Sequence, residues 1–262
     1  MSQPVSPFPA RFLPAIRALL QLQQHERYLG AIIFGSLARM EATDKSDCDA
    51  KVIVNEENPC SNINHPSIGG VKLDLTFLSL EQLRKHTREE MERAERIPII
   101  AKSIILFDKT QQLQSLQQEA RKAQPKKIRD DELQMLHFMI FHGNDKAERN
   151  LHDDPLTALL VMHVGLNDFL HYHYQLCGRW WVSSKRLLAD LRTWDPPLAH
   201  LVEQFVSTGE VQAKFAYWRA IIDHIVEPLG GRQPIYENNC TCPICQRDLA
   251  HLLSFSQDGQ NI

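Results

Sequence analysis

The sequence predicts an α+β protein, a small mixed β-sheet domain followed by an α-helical bundle. Three observations carry that expectation. Residues 32–54, IIFGSLARMEATDKSDCDAKVIV, read as a buried strand, a tight Gly-Ser turn, a short helix, a polar loop and a second strand. Residues 71–78, VKLDLTFL, alternate apolar and polar side chains with the two-residue period of a half-buried strand. Beyond Gln124-Pro125-Lys126-Lys127 the pattern is helix after helix.

Residues 9–28 set Phe12, Ile16, Leu19, Leu20 and Leu22 at the spacing of an amphipathic helix packed on a sheet, and Gly30 is expected to end it. Residues 31–34 are the first strand, 37–41 a short helix, 43–46 a polar loop and 47–54 the second strand. Residues 55–70 are rich in Asn, Pro, Ser and Gly, which makes them a connecting loop. In 71–78 the face of Val71, Leu73, Leu75 and Phe77 packs on helices, and the face of Lys72, Asp74 and Thr76 stays polar. Ser79 caps a charged helix that runs to about residue 96. Residues 103–107, SIILF, form a further strand, and 111–123 a Gln-rich helix.

The expected boundaries are 1–124 for the sheet domain, 125–235 for the bundle and 236–262 for a cysteine-containing tail. Helices are expected over 130–152, with Leu133, Leu136, Met139 and Ile140 at helical spacing, and over 155–176, 183–191, 197–206 and 211–226.

Composition bounds the function. The chain has 262 residues, 43% of them apolar, and a formal net charge of -3. That is an ordinary globular balance with no general pull toward nucleic acid. No apolar run approaches the length that spans a bilayer, and the first residues do not read as a secretory signal. Six cysteines in such a chain suggest reduced thiols or a metal rather than a disulfide framework. A cytoplasmic protein is expected, and a homodimer is left open.

The chemistry concentrates in 32–54. Asp47 and Asp49 lie two apart on a strand, so both point to one face, and two carboxylates so placed hold a divalent cation through oxygen. Gly35 permits backbone conformations closed to other residues and lets a ligand come close. Ser36 sits near a helix start, where free N–H groups favour phosphate. A phosphate cradle beside a metal cradle is what transfer from a nucleoside triphosphate requires. Arg39 either touches phosphate or pairs with Glu41 or Asp44, and Ser46 closes the loop.

The run G-S-x-A-R (Gly35, Ser36, Ala38, Arg39), then S-D-x-D (Ser46, Asp47, Asp49), then Asp74 on a later strand resembles the nucleotidyltransferase superfamily of DNA polymerase beta. It looks most like the small bacterial members, the kanamycin- and lincosamide-type and the minimal nucleotidyltransferases of toxin–antitoxin pairs. The resemblance covers roughly the first hundred residues. It implies Mg-dependent transfer of a nucleoside monophosphate, AMP from ATP, onto an acceptor hydroxyl. Asp47, Asp49 and Asp74 would bind two Mg²⁺ ions, with Asp74 also a candidate base. Gly35, Ser36, Arg39 and Ser46 would bind the nucleotide, and a helical bundle would line the acceptor site. The acceptor would be a small hydroxylated molecule such as an antibiotic, or a protein side chain; the acidic balance argues against RNA. A non-catalytic nucleotide-binding protein of the same fold is the alternative. The chain departs from the pattern at Met40, where many relatives carry Gly, and at Lys51, where many carry an apolar residue. Lys51 shares a strand face with Asp47 and Asp49, and either pairs with a carboxylate or reaches the triphosphate.

Three further groups stand out. Gly178-Arg179-Trp180-Trp181 with Lys185 and Arg186 offers a basic, aromatic surface for a nucleobase or acceptor, although aromatic burial favours a packed loop. His142, Asp145 and Glu148 share a helix face, as a catalytic base or as a polar surface. Cys240, Cys242 and Cys245 have the spacing of a zinc knuckle, with His251, Cys60 or a residue of a partner chain as fourth ligand; a tail of reduced thiols is the other reading.

Overall fold

The computed structural model describes residues 8–232 and 242–258. The described residues pack as two compact units, 8–128 with 170–190, and 129–169 with 191–232 and 242–258. Residues 170–190 therefore group with the sheet and not with the helices that flank them in sequence.

The first unit is built on a mixed sheet. In chain order its elements are α1 (Leu13–Gln21), β1 (Tyr28–Ile33), α2 (Gly35–Ala38), β2 (Cys48–Val54), β3 (Ile63–Asn64), β4 (Ser67–Ile68), β5 (Val71–Leu78), α3 (Leu80–Arg93), β6 (Ile104–Asp108) and α4 (Gln112–Ala120). The strands run in the order β3-β5-β2-β1-β6, with β4 also paired to β5. Only β2 and β5 are parallel.

The two faces of the sheet have separate cores. Phe12, Ile16 and Leu19 from the α1 side pack with Ile33, Leu37, Cys48, Ala50, Val52, Val71 and Leu73. Ile32, Ile53 and Leu78 face the other way and pack with Leu83 of α3 and Leu113 and Leu116 of α4. Ser79 caps α3 as expected, in a reciprocal box: its Oγ accepts from Gln82 N–H at 3.1 Å, and its own N–H donates to Gln82 Oε1 at 2.9 Å.

Gly30 does not end the first helix. That helix stops at Gln21, and Gly30 lies inside β1, where the register with β2 shifts. A side chain there would run into Leu113 of α4. The glycine serves close packing of helix on sheet, a signal that reads in sequence like a terminator.

The second unit contains α5 (Asp130–Asn150), the first part of α6 (Pro155–Leu176), the end of α7 (Ser184–Trp194), α8 (Pro196–Ser207), α9 (Val211–Val226) and α10 (Pro243–Asp258). Trp218 is fully buried against Phe169 and Phe205, with ring centroids 5.0 and 6.2 Å away. On α5 the buried stripe is His137, Ile140, Asn144 and Ala147, while Met139 faces outward. His137 is held in that stripe by a 2.7 Å hydrogen bond to the Gly231 carbonyl. Among the described residues no helix is long and apolar enough to cross a membrane.

Candidate active site

The parallel pairing of β2 and β5 places Asp49 directly opposite Asp74. Their neighbours Cys48, Ala50, Leu73 and Leu75 are buried on the α1 side, so both carboxylates stand on the opposite face. Further along the same face Ile53 and Leu78 are covered by α3 and α4. The acids occupy its half-buried end.

Gly35 closes the corner. Its φ is +70°, which an L side chain adopts only under strain, and a Cβ there would collide with the Asp49 carboxylate. The Phe34 N–H donates to the Asp49 carbonyl at 3.0 Å, fixing the turn against β2. Ser36 is half-buried in the single turn of α2, and its carbonyl accepts from Glu41 N–H at 2.9 Å. Ser46 closes its loop, accepting from Thr43 N–H at 2.9 Å. Met40 carries φ 60°, the conformation that a glycine takes without strain.

Asp47 precedes β2, opposite Lys72 in the continuing register. The Lys72 ammonium lies 3.6 Å from Asp47 Oδ2 and 3.2 Å from Asp74 Oδ1. His65 Nδ1 reaches the same Asp74 oxygen at 2.7 Å. The carboxylate oxygens of Asp47, Asp49 and Asp74 do not all lie within 4.8 Å of one another. The structure thus joins Asp49 to Asp74 through the strand register and Asp47 to Asp74 through Lys72, but does not draw the three into one closed set.

The electrostatics follow. Burial, then the Asp74 charge, then Asp47 push the Asp49 carboxyl above its ordinary value, against the pull of Lys185 and Arg39. Burial works to raise Asp74, yet the hydrogen bonds to His65 and Lys72 outweigh it and hold that carboxyl low. Beneath them Cys48 is pushed up to about 12 by burial and by Asp49, so it remains a neutral core thiol. Lys51 makes no ion pair with Asp47 or Asp49. Its ammonium lies 5.6 Å from the centre of the Phe34 ring, and burial lowers its pKa.

Beside the corner is a cavity of about 600 Å³, with Phe34, Gly35 and Arg39 in its wall. The rest of the wall includes Arg96, Lys102, Arg179, Trp180, Trp181 and Arg186, with Asp190 the one acid. Arg39 and Arg186 both bind the Glu41 carboxylate, at 2.8 and 2.9 Å. Arg96 and Lys102 make no ion pair among the described residues. The Trp181 amide donates to the Glu95 carbonyl at 2.9 Å, and its ring packs on His171 and Tyr174. Trp181 is therefore a packed residue, while the loop that carries it still lines the cavity.

The sequence places Lys72 on the polar strand face with Asp74 but gives it no role, and His65, Arg96 and Lys102 lie outside the motifs and carry no signal. His142, Asp145 and Glu148 form a surface: Asp145 pairs with Arg149 at 2.7 Å, Glu148 lies 3.9 Å from Arg219, and His142 stacks on Phe138. Cys240 lies outside the described residues. Cys242 and Cys245 are half-buried, with the Cys245 N–H donating to Cys242 Sγ at 3.4 Å, and His251 is exposed on α10. Zinc at this tail rests on sequence spacing.

No family model and no curated protein matches the chain. A nucleotidyltransferase-like protein from Exiguobacterium sibiricum 255-15 has a crystal structure that aligns over 82% of this chain and 74% of its own, with 13% identity and a TM-score of 0.46. A likeness at that score carries no weight for fold or function, and the site stands on its own geometry.

Proposed function

We propose that the chain is a nucleotidyltransferase that moves AMP from ATP onto an acceptor hydroxyl and releases pyrophosphate. One observation carries the reading: Asp49, opposite Asp74, is pressed against Gly35, and Gly35 lines a cationic, aromatic cavity large enough for a nucleotide. Carboxylate oxygens are the donors that a hard divalent cation takes, and Asp47 and Asp49, two apart where β2 begins, would hold it. Bound Mg²⁺ would neutralise phosphate charge as it develops.

The chain's own residues do the rest. The bare backbone at Gly35 and Ser36 and the Arg39 guanidinium meet the phosphates. Arg96, Lys102 and Arg179 supply positive potential around them, and Trp180 offers a ring for the base. Asp74, kept ionised by its partners, takes the acceptor proton. The acceptor oxygen bonds to the α-phosphorus as the bond to pyrophosphate breaks, and pyrophosphate leaves with that electron pair.

The wall charge disfavours a polycationic acceptor such as an aminoglycoside. A neutral or anionic hydroxylated small molecule, or a protein side chain, fits better. The cytoplasm, which supplies ATP and Mg²⁺, is the compartment for such a reaction. A non-catalytic nucleotide binder is the second reading, favoured by one fact: Asp74 already has two partners. Transfer of label from [α-³²P]ATP to components of a lysate decides between them. Label that appears with the native chain and vanishes with Asp49→Asn supports the transferase; nucleotide binding with no transfer supports the binder.

A further inference from the structure

The acidic corner contains a cation supplied by the chain itself. Lys72 lies two residues before Asp74 on β5, on the same face, and between them Leu73 is fully buried. The strand is thereby held in register, so the lysine stem starts from a fixed point. From there its ammonium reaches Asp74 Oδ1 at 3.2 Å and Asp47 Oδ2 at 3.6 Å. Asp74 Oδ1 receives His65 as well, at 2.7 Å. Asp49, opposite Asp74 in the register, is the carboxylate of the three that makes no ion pair among the described residues.

Asp74 Oδ1, which already faces an ammonium and an imidazole, has little capacity left for a metal ion, so a second ion would have Asp74 Oδ2 alone. A cation placed between Asp47 and Asp74 would also stand against the Lys72 charge, a repulsion of like charges at short range. Asp49 and Asp47 Oδ1 have no ion-pair partner among the described residues.

We infer that Lys72 takes the place of one of the two cations implied by the motif, so that the site holds a single divalent ion, on Asp47 and Asp49. The inference rests on the transferase reading of the same corner and narrows it: Asp74 works as an oxygen base beside an ammonium and not as a metal ligand.

The test counts ions. Mn²⁺ binding to the full chain is followed by electron paramagnetic resonance, with a non-hydrolysable ATP analogue present, for the native chain, Lys72→Met and Lys72→Arg. The native chain and Lys72→Arg bind one ion per chain. Lys72→Met binds two, the second at least about tenfold tighter than any second ion on the native chain. Lys72 is half exposed, so neither variant removes core packing. A native chain that binds the analogue with two ions overturns this inference and leaves the transferase reading standing, as does a Lys72→Met chain that still binds one. A native chain that binds neither the analogue nor Mn²⁺ overturns both.

Discussion

Asp49 and Asp74 are direct register partners on two adjacent parallel strands, although 55–70 lies between those strands in sequence. Burial first, and then the Asp74 charge brought alongside by the pairing, raise the Asp49 carboxyl above its ordinary value. A carboxyl with a higher pKa folded than unfolded binds protons on folding. The metal-free protein therefore loses stability as pH rises from the ordinary carboxyl range through the raised value. Asp49→Asn removes that loss: its metal-free melting temperature at neutral pH should exceed that of the native chain, while label transfer disappears. A melting temperature that falls at neutral pH would show that Asp49 is held by partners and not opposed by them.

Gly35→Ala should be costly in two ways. The substitution forces a left-handed conformation and drives a methyl group into the Asp49 carboxylate. We expect a loss of about 1–3 kcal/mol in urea unfolding, together with loss of Mn²⁺ binding. A folded Gly35→Ala that binds Mn²⁺ as the native chain does would contradict the close approach.

Met40→Gly should act in the opposite sense. Met40 is well exposed and sits at φ 60°, so glycine gives up little packing and relieves backbone strain. A gain of about 1 kcal/mol is expected from the denaturation midpoint, with activity retained.

The cationic wall can be tested by charge reversal. Lys102→Glu and Arg96→Glu should each weaken ATP about tenfold, seen as a smaller rise in melting temperature with added ATP and Mg²⁺. Kanamycin should give no such rise. Unchanged ATP stabilisation in both variants would remove the cavity from the nucleotide's path.

How far the site could be read from sequence depends on how local each part is. Strand alternation in 71–78, the Ser79 cap and the Gly35-Ser36 turn are short-range patterns, and the structure reproduces them. Gly30 was misread because a glycine that makes room for Leu113 looks the same in sequence as one that ends a helix. Lys72 was visible on the polar face of its strand, but its role depends on a parallel register that pattern alone does not give. The cavity wall was the least legible part, since it joins residues 34–39, 96–102 and 178–190 by tertiary packing. Trp181 shows the ambiguity well: the same side chain is core on one side and belongs to a cavity loop on the other.

Glu41 and Arg186, joined at 2.9 Å, are 145 positions apart in the chain. The acids on β2 and β5 need only the first eighty or so residues to be in place, whereas the tryptophan wall depends on a segment made much later. During synthesis on the ribosome, then, the carboxylate corner can assemble while the neighbouring cavity still lacks a side, and that wall is complete only when 178–190 emerges and docks.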